Sequence, residues 1–369
     1  MTMISLNGAT LEGGGQLVRV AVALSAITST PVHLYNIRAN RAPPKRRNNN
    51  NKNNGKNGSS ASRRIEGGLK ESHLAALQWL ADQTGARVEG AELGSQEAVK
   101  HHYTIALQKP GSVWLVLQAV LPYVVFGMAR RKGEKRVVEF TLTGGTNVDK
   151  SMSAEYVQQV LLPTLQKIGL PADVQVEIVK RGWACGIAQE IGEVVDRGQV
   201  EKISASIVAH PDSLRRQVLD KVQQQVSERF KVPVEAVVDE DSGHESRFYL
   251  LLVAHTTNGW RIGRDFLGTG AKIRNAEQVE RLVEGSVSRA VAALDTELKR
   301  GGCVDEHLQD QLVIFQALAR GRSVVDAGTG RGGGTLHTQT VRWVCEEILG
   351  VSFGQDGQKM REKVKVHQS

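Results

Sequence analysis

The chain has 369 residues and is 40% hydrophobic, so it is long enough for two domains, or for one large domain with an insert, and apolar enough to bury a core. Its formal net charge of +8 favours polyanionic partners, such as nucleic acid or nucleotide phosphates, without requiring one. Its three cysteines, Cys185, Cys303 and Cys345, are odd in number and far apart, which argues against a disulfide framework or a CxxC zinc site and fits a reducing compartment.

The N-terminal part predicts helices and strands around one polar interruption. The N-terminus shows no basic region followed by a long apolar run, so we expect no secretory signal. Residues 16–28 are helix-like and almost wholly apolar, and residues 31–41 predict a strand. Residues 45–64, KRRNNNNKNNGKNGSSASRR, have no large apolar side chain and predict a disordered, basic surface insertion. Its cations could touch RNA, but the composition favours a solvated loop.

An apolar stretch at 113–129 resembles a membrane span, and we predict a buried helix there instead. It is shorter than the roughly 20 apolar residues that a span requires, and it contains Gln118 and Pro122. Periodicity elsewhere in this half predicts helices at 71–84 and 154–170 and strands at 102–107, 136–143 and 173–182.

The pattern of predicted strands and helices changes near residue 190. A strand, a charged helix and a strongly apolar strand predict a small β-α-β unit, at 202–210, 211–230 and 248–257. We therefore expect a smaller inserted domain at 190–274 and a larger catalytic domain formed by 1–189 and 275–369.

The C-terminal part predicts more helices and one strand. Asn275 is placed to cap a long helix that Gly301 and Gly302 close. Further elements follow, namely helices at 304–321 and 338–350, a strand at 323–327 and a frayed tail. Strands and helices alternate throughout, so the fold class is α/β or α+β.

The glycine run GTGRGGG, which follows the predicted strand SVVDA, allows two interpretations. Gly328, Gly330 and Gly333 match GxGxxG and resemble the first motif of methyltransferases that bind S-adenosylmethionine. However, a Rossmann unit needs a second strand about 30 residues further on, with an acid at its end, and none is visible. A loop before the last helix is the simpler interpretation.

A histidine follows the glycine run at the expected start of the last helix. A helix N-terminus favours anions and disfavours a protonated imidazole, so neutral His337 could attack a phosphate there. From spacing alone, a capping or packing role for this histidine is the better interpretation.

Six motifs in order resemble the RNA 3'-terminal phosphate cyclase family over nearly the whole chain. The most specific are VDEHLQDQL and LHTQT, and the full set is EGGGQLVRVAVALSAIT at 12–28, NIRANR at 36–41, GSVWLVLQAVLP at 111–122, GGTN at 144–147, VDEHLQDQLVIFQALARG at 304–321 and LHTQT at 336–340. The resemblance implies a large domain of repeated units, each with helices on a four-stranded sheet. It also implies that the insert is similar to the C-terminal domain of bacterial translation initiation factor three.

The resemblance implies an ATP-dependent reaction on an RNA 3' end. His337 would attack the α-phosphate of ATP, the AMP would pass to the RNA 3'-phosphate, and the 2'-hydroxyl would then form a 2',3'-cyclic phosphate. A divalent cation, Mg or Mn, would neutralise the triphosphate.

The implied site residues fall into three groups. Those expected to contact the adenylate are Gln118, Tyr156, His307, Leu308, Gln309, Asp310 and Gln311. Glu12 falls on a carboxylate close to the metal and phosphates, and Arg19, Arg38 and Arg41 fall on arginines suited to the RNA terminal phosphate. Asp310 could hold a ribose hydroxyl or orient His337, and the sequence leaves both roles open.

The chain also departs from the family pattern. Glu71 and Ser72 replace an arginine and a glutamine before the retained His73, Met152 replaces a proline, and RGWACGIAQEIG lacks the usual proline and glycine triplet. An acid near an RNA phosphate would weaken binding. The family includes noncatalytic relatives that act in ribosome assembly and lack the histidine, so a weakly active RNA-binding protein is the alternative. Family analogy suggests the nucleus.

Overall fold

A computed structural model describes residues 2–39, 68–91, 102–107, 111–127, 139–148, 151–170, 175–176, 196–268, 275–319, 323–329, 334–354 and 358–360. The predicted insertion at 45–64 and most of the predicted strand at 173–182 lie outside these ranges, as does the tail from residue 361. The α-helices of the described chain are α1 (Gly15–Thr28), α2 (Glu71–Thr84), α3 (Val113–Pro122), α4 (Ala154–Tyr156), α5 (Leu162–Lys167), α6 (Asp212–Phe230), α7 (Ala276–Arg300), α8 (Glu306–Leu318) and α9 (Leu336–Leu349), and a π-helical segment, Val157–Leu161, joins α4 to α5. The strands are β1 (Ile4–Asn7), β2 (Val32–Tyr35), β3 (His102–Ala106), β4 (Glu139–Thr143), β5 (Val200–Ala209), β6 (Val234–Asp241), β7 (Phe248–Thr256), β8 (Arg261–Leu267), β9 (Ser352–Phe353) and β10 (Lys359–Met360).

The larger part of the molecule is built on a bundle in which α1 is central. Helix α1 packs against α2, α3 and α9, and α9 packs in turn on α8. Every residue from Gln16 to Leu24 is buried, which explains why this helix is apolar on all sides apart from Gln16 and Arg19. Two parallel strand pairs, β1–β2 and β3–β4, accompany the bundle. The mixed helix-and-sheet class is confirmed, whereas the repeated four-stranded units remain a prediction.

The apolar stretch predicted as a buried helix at 113–129 is helical and mostly buried over its described part, residues 113–127. Helix α3 continues into a π-helical turn at Tyr123–Gly127, and Ser112 caps its start by accepting the N–H of Trp114 at 3.2 Å. Among the described helices, none has the length and apolar character to cross a membrane.

Strands β5 to β8 form one mixed sheet in the order β6-β5-β7-β8. Strands β5 and β6 are parallel and joined by α6. Strand β7 runs antiparallel to β5, and β8 runs antiparallel to β7. Helices α6 and α7 cover one face through an apolar cluster, so α7 packs on the inserted sheet although it lies beyond the boundary at 274. The opposite face meets Tyr156 and Val160, whose side chains would collide with a Cβ on Gly263 of β8 at 3.0 and 2.8 Å.

The expected strand at 323–327 is present only as isolated bridges. Ser323 pairs with Lys359 of the short β9–β10 hairpin, which the sequence did not predict. The Nζ of Lys359 is buried and donates to the carbonyl of Ala319 at 2.6 Å, so it satisfies a backbone acceptor after α8.

Candidate active site

The first turn of α9 holds His337 at an open surface. The Thr335 hydroxyl caps the helix by accepting the N–H of Thr338 at 3.1 Å. Thr338 and Thr340 point inward and are fully buried, whereas the His337 side chain is 53% exposed. The predicted position of His337 at a helix start is therefore confirmed, and its ring is accessible to a ligand.

The loop before α1 lies against this turn. The N–H of Glu12 donates to Oγ1 of Thr340 at 3.2 Å, and Oε2 of Glu12 lies 3.9 Å from Nδ1 of His337. A Cβ on Gly14 would meet that carboxylate at 2.0 Å, so the glycine allows the Glu12 side chain to fold back over the loop. This close approach brings a carboxylate beside the histidine.

Gln16, in the first turn of α1, joins the histidine to α8. Nδ1 of His337 lies 2.8 Å from Oε1 of Gln16. Nε2 of Gln16 donates to Oδ2 of Asp310 at 2.9 Å. Gln16 is only 3% exposed, so its amide is enclosed between these two partners.

A second chain of hydrogen bonds reaches Asp310 from the opposite side. Nε of Arg19 donates to Oε1 of Gln118 at 2.5 Å. Nε2 of Gln118 donates to Oε1 of Gln311 at 2.6 Å, and Nε2 of Gln311 donates to Oδ1 of Asp310. The carboxylate of Asp310 is therefore the common acceptor of two chains, one starting at Arg19 and one at His337.

Burial shifts the pKa of the two ionisable groups in this network, Asp310 and Arg19. It raises the pKa of Asp310, and hydrogen bonds from Gln16 and Gln311 act in the opposite direction. Burial also lowers the pKa of Arg19 to about 10, against the charge of Asp310. Arg19 is still a cation at neutral pH and supplies buried positive charge beside Gln118.

An apolar cavity lies beneath the network. Gln118, Asp310 and Gln311 are at its polar side, and its apolar walls come from Val20, Leu117, Leu121, Met152, Leu161, Leu165, Ile314 and Phe315. Met152, which stands where the family has a proline, is therefore close to the residues expected to contact the nucleotide.

The start of α8 carries the other residues expected near the nucleotide. His307 is exposed, Leu308 is fully buried, and Oε1 of Gln309 accepts a hydrogen bond from Oγ1 of Thr338 at 3.4 Å. This bond ties α8 to the turn that carries His337.

Tyr156 lies inside the protein rather than at the open surface. It is 3% exposed, and its hydroxyl donates to Oδ1 of Asp305 at 2.5 Å. The edge of its ring faces His307, with the ring centroids 6.4 Å apart. Burial, followed by the charge of Asp305, raises the pKa of Tyr156 well above its usual value. Tyr156 thus packs beneath the exposed ring of His307.

Of the residues expected at the RNA end, Arg19 belongs to the central network and Arg41 lies outside the described residues. Arg38 is half-buried, and its Nη1 donates to the carbonyl of Gly68 at 3.2 Å. The positive charge of Arg38 acts on the site by helping to lower the pKa of His73.

His73 is a buried neutral histidine next to Arg19. Its Nδ1 accepts the N–H of Lys70 at 3.1 Å, and its Nε2 lies 3.5 Å from Nη1 of Arg19. Burial and then the cations Arg19, Arg38 and Lys70 lower its pKa to about 3. A Cβ on Gly15 would meet the ring at 2.3 Å, which explains a second glycine of the loop.

The substituted positions before His73 occupy the first turn of α2. Glu71 is half-buried, and Ser72 is 4% exposed. Ser72 therefore faces the interior, and the acid lies two residues from the neutral histidine.

Sequence reasoning did not single out Gln16, although a signal for it was present. Gln16 and Arg19 are polar residues one turn apart on a helix that is otherwise apolar until Ser25. Polar side chains buried on such a helix require hydrogen-bond partners, which marks them as candidates for a site.

Comparison with known proteins gives a consistent result. A model of the RNA 3'-terminal phosphate cyclase family matches residues 10–354. The chain is 33% identical to an RNA 3'-terminal phosphate cyclase of Pyrococcus abyssi, over 99% of this chain and 98% of the relative. It is 31% identical to one of Thermococcus onnurineus, over 97% of both chains, and 28% identical to one of Drosophila melanogaster, over 95% and 92%.

Proposed function

Because the chain belongs to the RNA 3'-terminal phosphate cyclase family, we propose that it uses ATP to convert an RNA 3'-terminal phosphate into a 2',3'-cyclic phosphate through AMP bound to His337. The contact between Nδ1 of His337 and Oε1 of Gln16 carries this proposal. It holds one ring nitrogen of a half-exposed imidazole in the first turn of α9, where a ligand can reach the ring.

The first step transfers AMP to the enzyme. The lone pair of Nε2 of His337 attacks the α-phosphorus of ATP, the bond from that phosphorus to its bridging oxygen breaks, and pyrophosphate leaves with the bonding electrons. The positive end of the α9 helix dipole favours the negative charge that develops there. The product is a phosphoramidate, which is a reactive donor of AMP.

The nucleotide would lie across α3 and α8. Gln118, Asp310 and Gln311, at the polar side of the small apolar cavity, would offer hydrogen-bond partners to the base or ribose of a nucleotide bound over them. His307, supported by Tyr156 and next to buried Leu308, offers an exposed ring at the start of the same helix.

A divalent cation fits the carboxylate of Glu12. Within the described ranges, no three His, Cys, Asp or Glu side chains cluster as a metal site. Mg²⁺ commonly takes one or two carboxylates together with waters and substrate phosphates, so a single carboxylate 3.9 Å from His337 suits a cation that arrives with ATP. Such a cation would neutralise the triphosphate.

The later steps use the RNA end. An oxygen of the 3'-phosphate attacks the phosphorus of the histidine-bound AMP, and the P–N bond breaks. The adjacent 2'-hydroxyl then attacks the activated RNA phosphate, AMP leaves, and the hydroxyl proton is released. Arg19 and Arg38, together with Arg41, would hold the phosphate, since guanidinium groups bind it bidentately.

The test uses ATP labelled at the α-phosphate. We expect the full-length protein to gain a label that is lost in acid and kept in alkali, as a phosphoramidate is, and to release it as AMP when RNA with a 3'-phosphate is added. His337→Ala should abolish the label. His244→Ala, at an exposed histidine of the β6–β7 connection, is the matched control and should retain it.

The alternative is an RNA-binding relative with weak activity, which the acid at Glu71 favours. It predicts that the protein binds RNA but takes up no label from ATP. Label that persists in His337→Ala would instead place the nucleophile elsewhere and contradict the proposal.

A further inference from the structure

We propose that Gln16 is a positioning residue that holds His337 in the tautomer with hydrogen on Nδ1, so that Nε2 carries the lone pair. This inference rests on the proposed function, since it concerns the nucleophile of that reaction. It assigns the orientation of the histidine to a buried amide, with Asp310 acting through that amide.

The direction of the hydrogen bonds follows from the groups at the ends of the network. A guanidinium only donates and an ionised carboxylate only accepts. Between Arg19 and Asp310, each amide must therefore accept on the arginine side and donate on the aspartate side, as Gln118 and Gln311 do. The two oxygens of Asp310 are then the end points of two chains.

The amide of Gln16 lies between Asp310 and His337. Its NH₂ group faces Oδ2 of Asp310 at 2.9 Å, so its carbonyl oxygen faces Nδ1 of His337 at 2.8 Å. A carbonyl oxygen can only accept, so Nδ1 must carry the hydrogen. The nearby carboxylate oxygen of Glu12, at 3.9 Å from Nδ1, is beyond hydrogen-bond distance.

Burial stabilises the hydrogen bonds that Gln16 makes to Asp310 and His337. Gln16 is 3% exposed and Asp310 is 9% exposed, so water competes poorly for the amide. Gln311 also donates to Asp310, which restricts rotation of the carboxylate. An exposed ring is thereby held by a partner that is itself immobilised.

The test compares Gln16→Met, which has similar length but no donor and only a weak acceptor, with Gln16→Glu, which keeps an acceptor for Nδ1–H while losing the donor to Asp310. Imidazole ¹⁵N chemical shifts of the full-length protein report the tautomer without ATP. We expect the wild type and Gln16→Glu to have hydrogen on Nδ1 of His337, and Gln16→Met to shift toward hydrogen on Nε2.

The rate of adenylylation should follow the tautomer. In Gln16→Met we expect kcat for label transfer from ATP to fall about 10- to 100-fold, as is typical when a supporting hydrogen bond to a reactive group is lost, with little change in KM. Gln83→Leu removes another buried glutamine that accepts a hydrogen bond from Tyr103, and it should leave kcat unchanged.

Two outcomes would overturn the inference: an unchanged tautomer in Gln16→Met, or a loss that appears only in KM. Absence of labelling in the wild type would refute the proposed function instead, and the ¹⁵N shifts would still show whether Gln16 sets the tautomer. Gln16→Glu keeps the comparison possible if Gln16→Met does not fold.

Discussion

Two histidines of the site illustrate how environment sets the role of a residue. His337 is half exposed, and its Nδ1 lies 2.8 Å from the amide oxygen of Gln16, which suits a positioned nucleophile. His73 is enclosed, accepts a backbone N–H and lies among cations that oppose its protonation. The same side chain is thus available for chemistry in one place and fixed as a neutral hydrogen-bonding group in the other.

The burial of His73 predicts acid sensitivity. The unfolded chain protonates this residue near its ordinary pKa of 6.5, whereas the folded protein protonates it only near about 3. Its contribution to stability is therefore complete above pH 6.5 and is lost as the pH falls toward 3. We expect a loss of about 2 kcal/mol of unfolding free energy between pH 7 and pH 5 from this residue.

Urea unfolding of the wild type and of His73→Gln at the two pH values measures this term. The variant should be less sensitive to the change by about the same amount. Equal losses in the two proteins would show that His73 is not protected from protons.

The N-terminal parts of three helices, α1, α8 and α9, meet at the candidate active site. The first turns of α1 and α9 and the second turn of α8 supply Gln16, His337 and Asp310. Each helix buries one or more faces against its neighbours, so its start is held in place by the packing behind it. The geometry of the site therefore depends on how well these first turns are capped.

The cap of α9 gives a prediction at this scale. Thr335→Ala removes the acceptor for the Thr338 N–H, and we expect it to destabilise the protein by about 1 kcal/mol and to slow adenylylation of His337 by fraying the turn that carries it. Asn275→Ala removes the equivalent cap of α7, which accepts the N–H of Gln278, and should cost similar stability without slowing adenylylation. Thermal unfolding and α-labelled ATP measure the two effects; equal slowing in both variants would contradict the explanation.

The sequence predicts helices better than it predicts strands in this protein. Helix α7 is found with its cap at Asn275 and its end at Gly301, because both ends carry explicit signals. Strand β6 escapes prediction because it is an edge strand whose residues are mostly exposed and charged, so it has no apolar alternation. Strand β8 follows the turn Asn258-Gly259, a hairpin signal that would have revealed it.

For the molecule as a whole, the site depends on contacts that no local pattern encodes. Gln16 touches Asp310 across 294 positions and His337 across 321. The motifs allowed the family's residues to be named, but their partners follow from the packing of α1 between α3 and α9. For this reason the sequence left the role of Asp310 open, and only the structure shows which groups it contacts.

The junction between the inserted sheet and the rest of the molecule gives a further prediction. Asp305 accepts from the hydroxyl of Tyr156 and from the N–H of Gly263 on β8. Tyr156→Phe removes one donor to a buried carboxylate, and we expect it to cost about 1.5–3 kcal/mol of unfolding free energy. Tyr103→Phe, whose hydroxyl donates to the neutral amide of Gln83, should cost about 0.5–1.5 kcal/mol.

Chemical denaturation of both tyrosine variants decides this comparison. A smaller loss in Tyr156→Phe than in Tyr103→Phe would show that Asp305 does not depend on its tyrosine.

The great sequence distance between the glutamine and the histidine that it contacts has a consequence for synthesis. A ribosome that has just placed Gln16 in the chain must add 321 more residues before the imidazole that it orients exists. A growing or prematurely ended chain that lacks His337 could not accept AMP under the proposed function. Adenylylation at this histidine would then be reserved for molecules whose translation has continued through the first turn of α9.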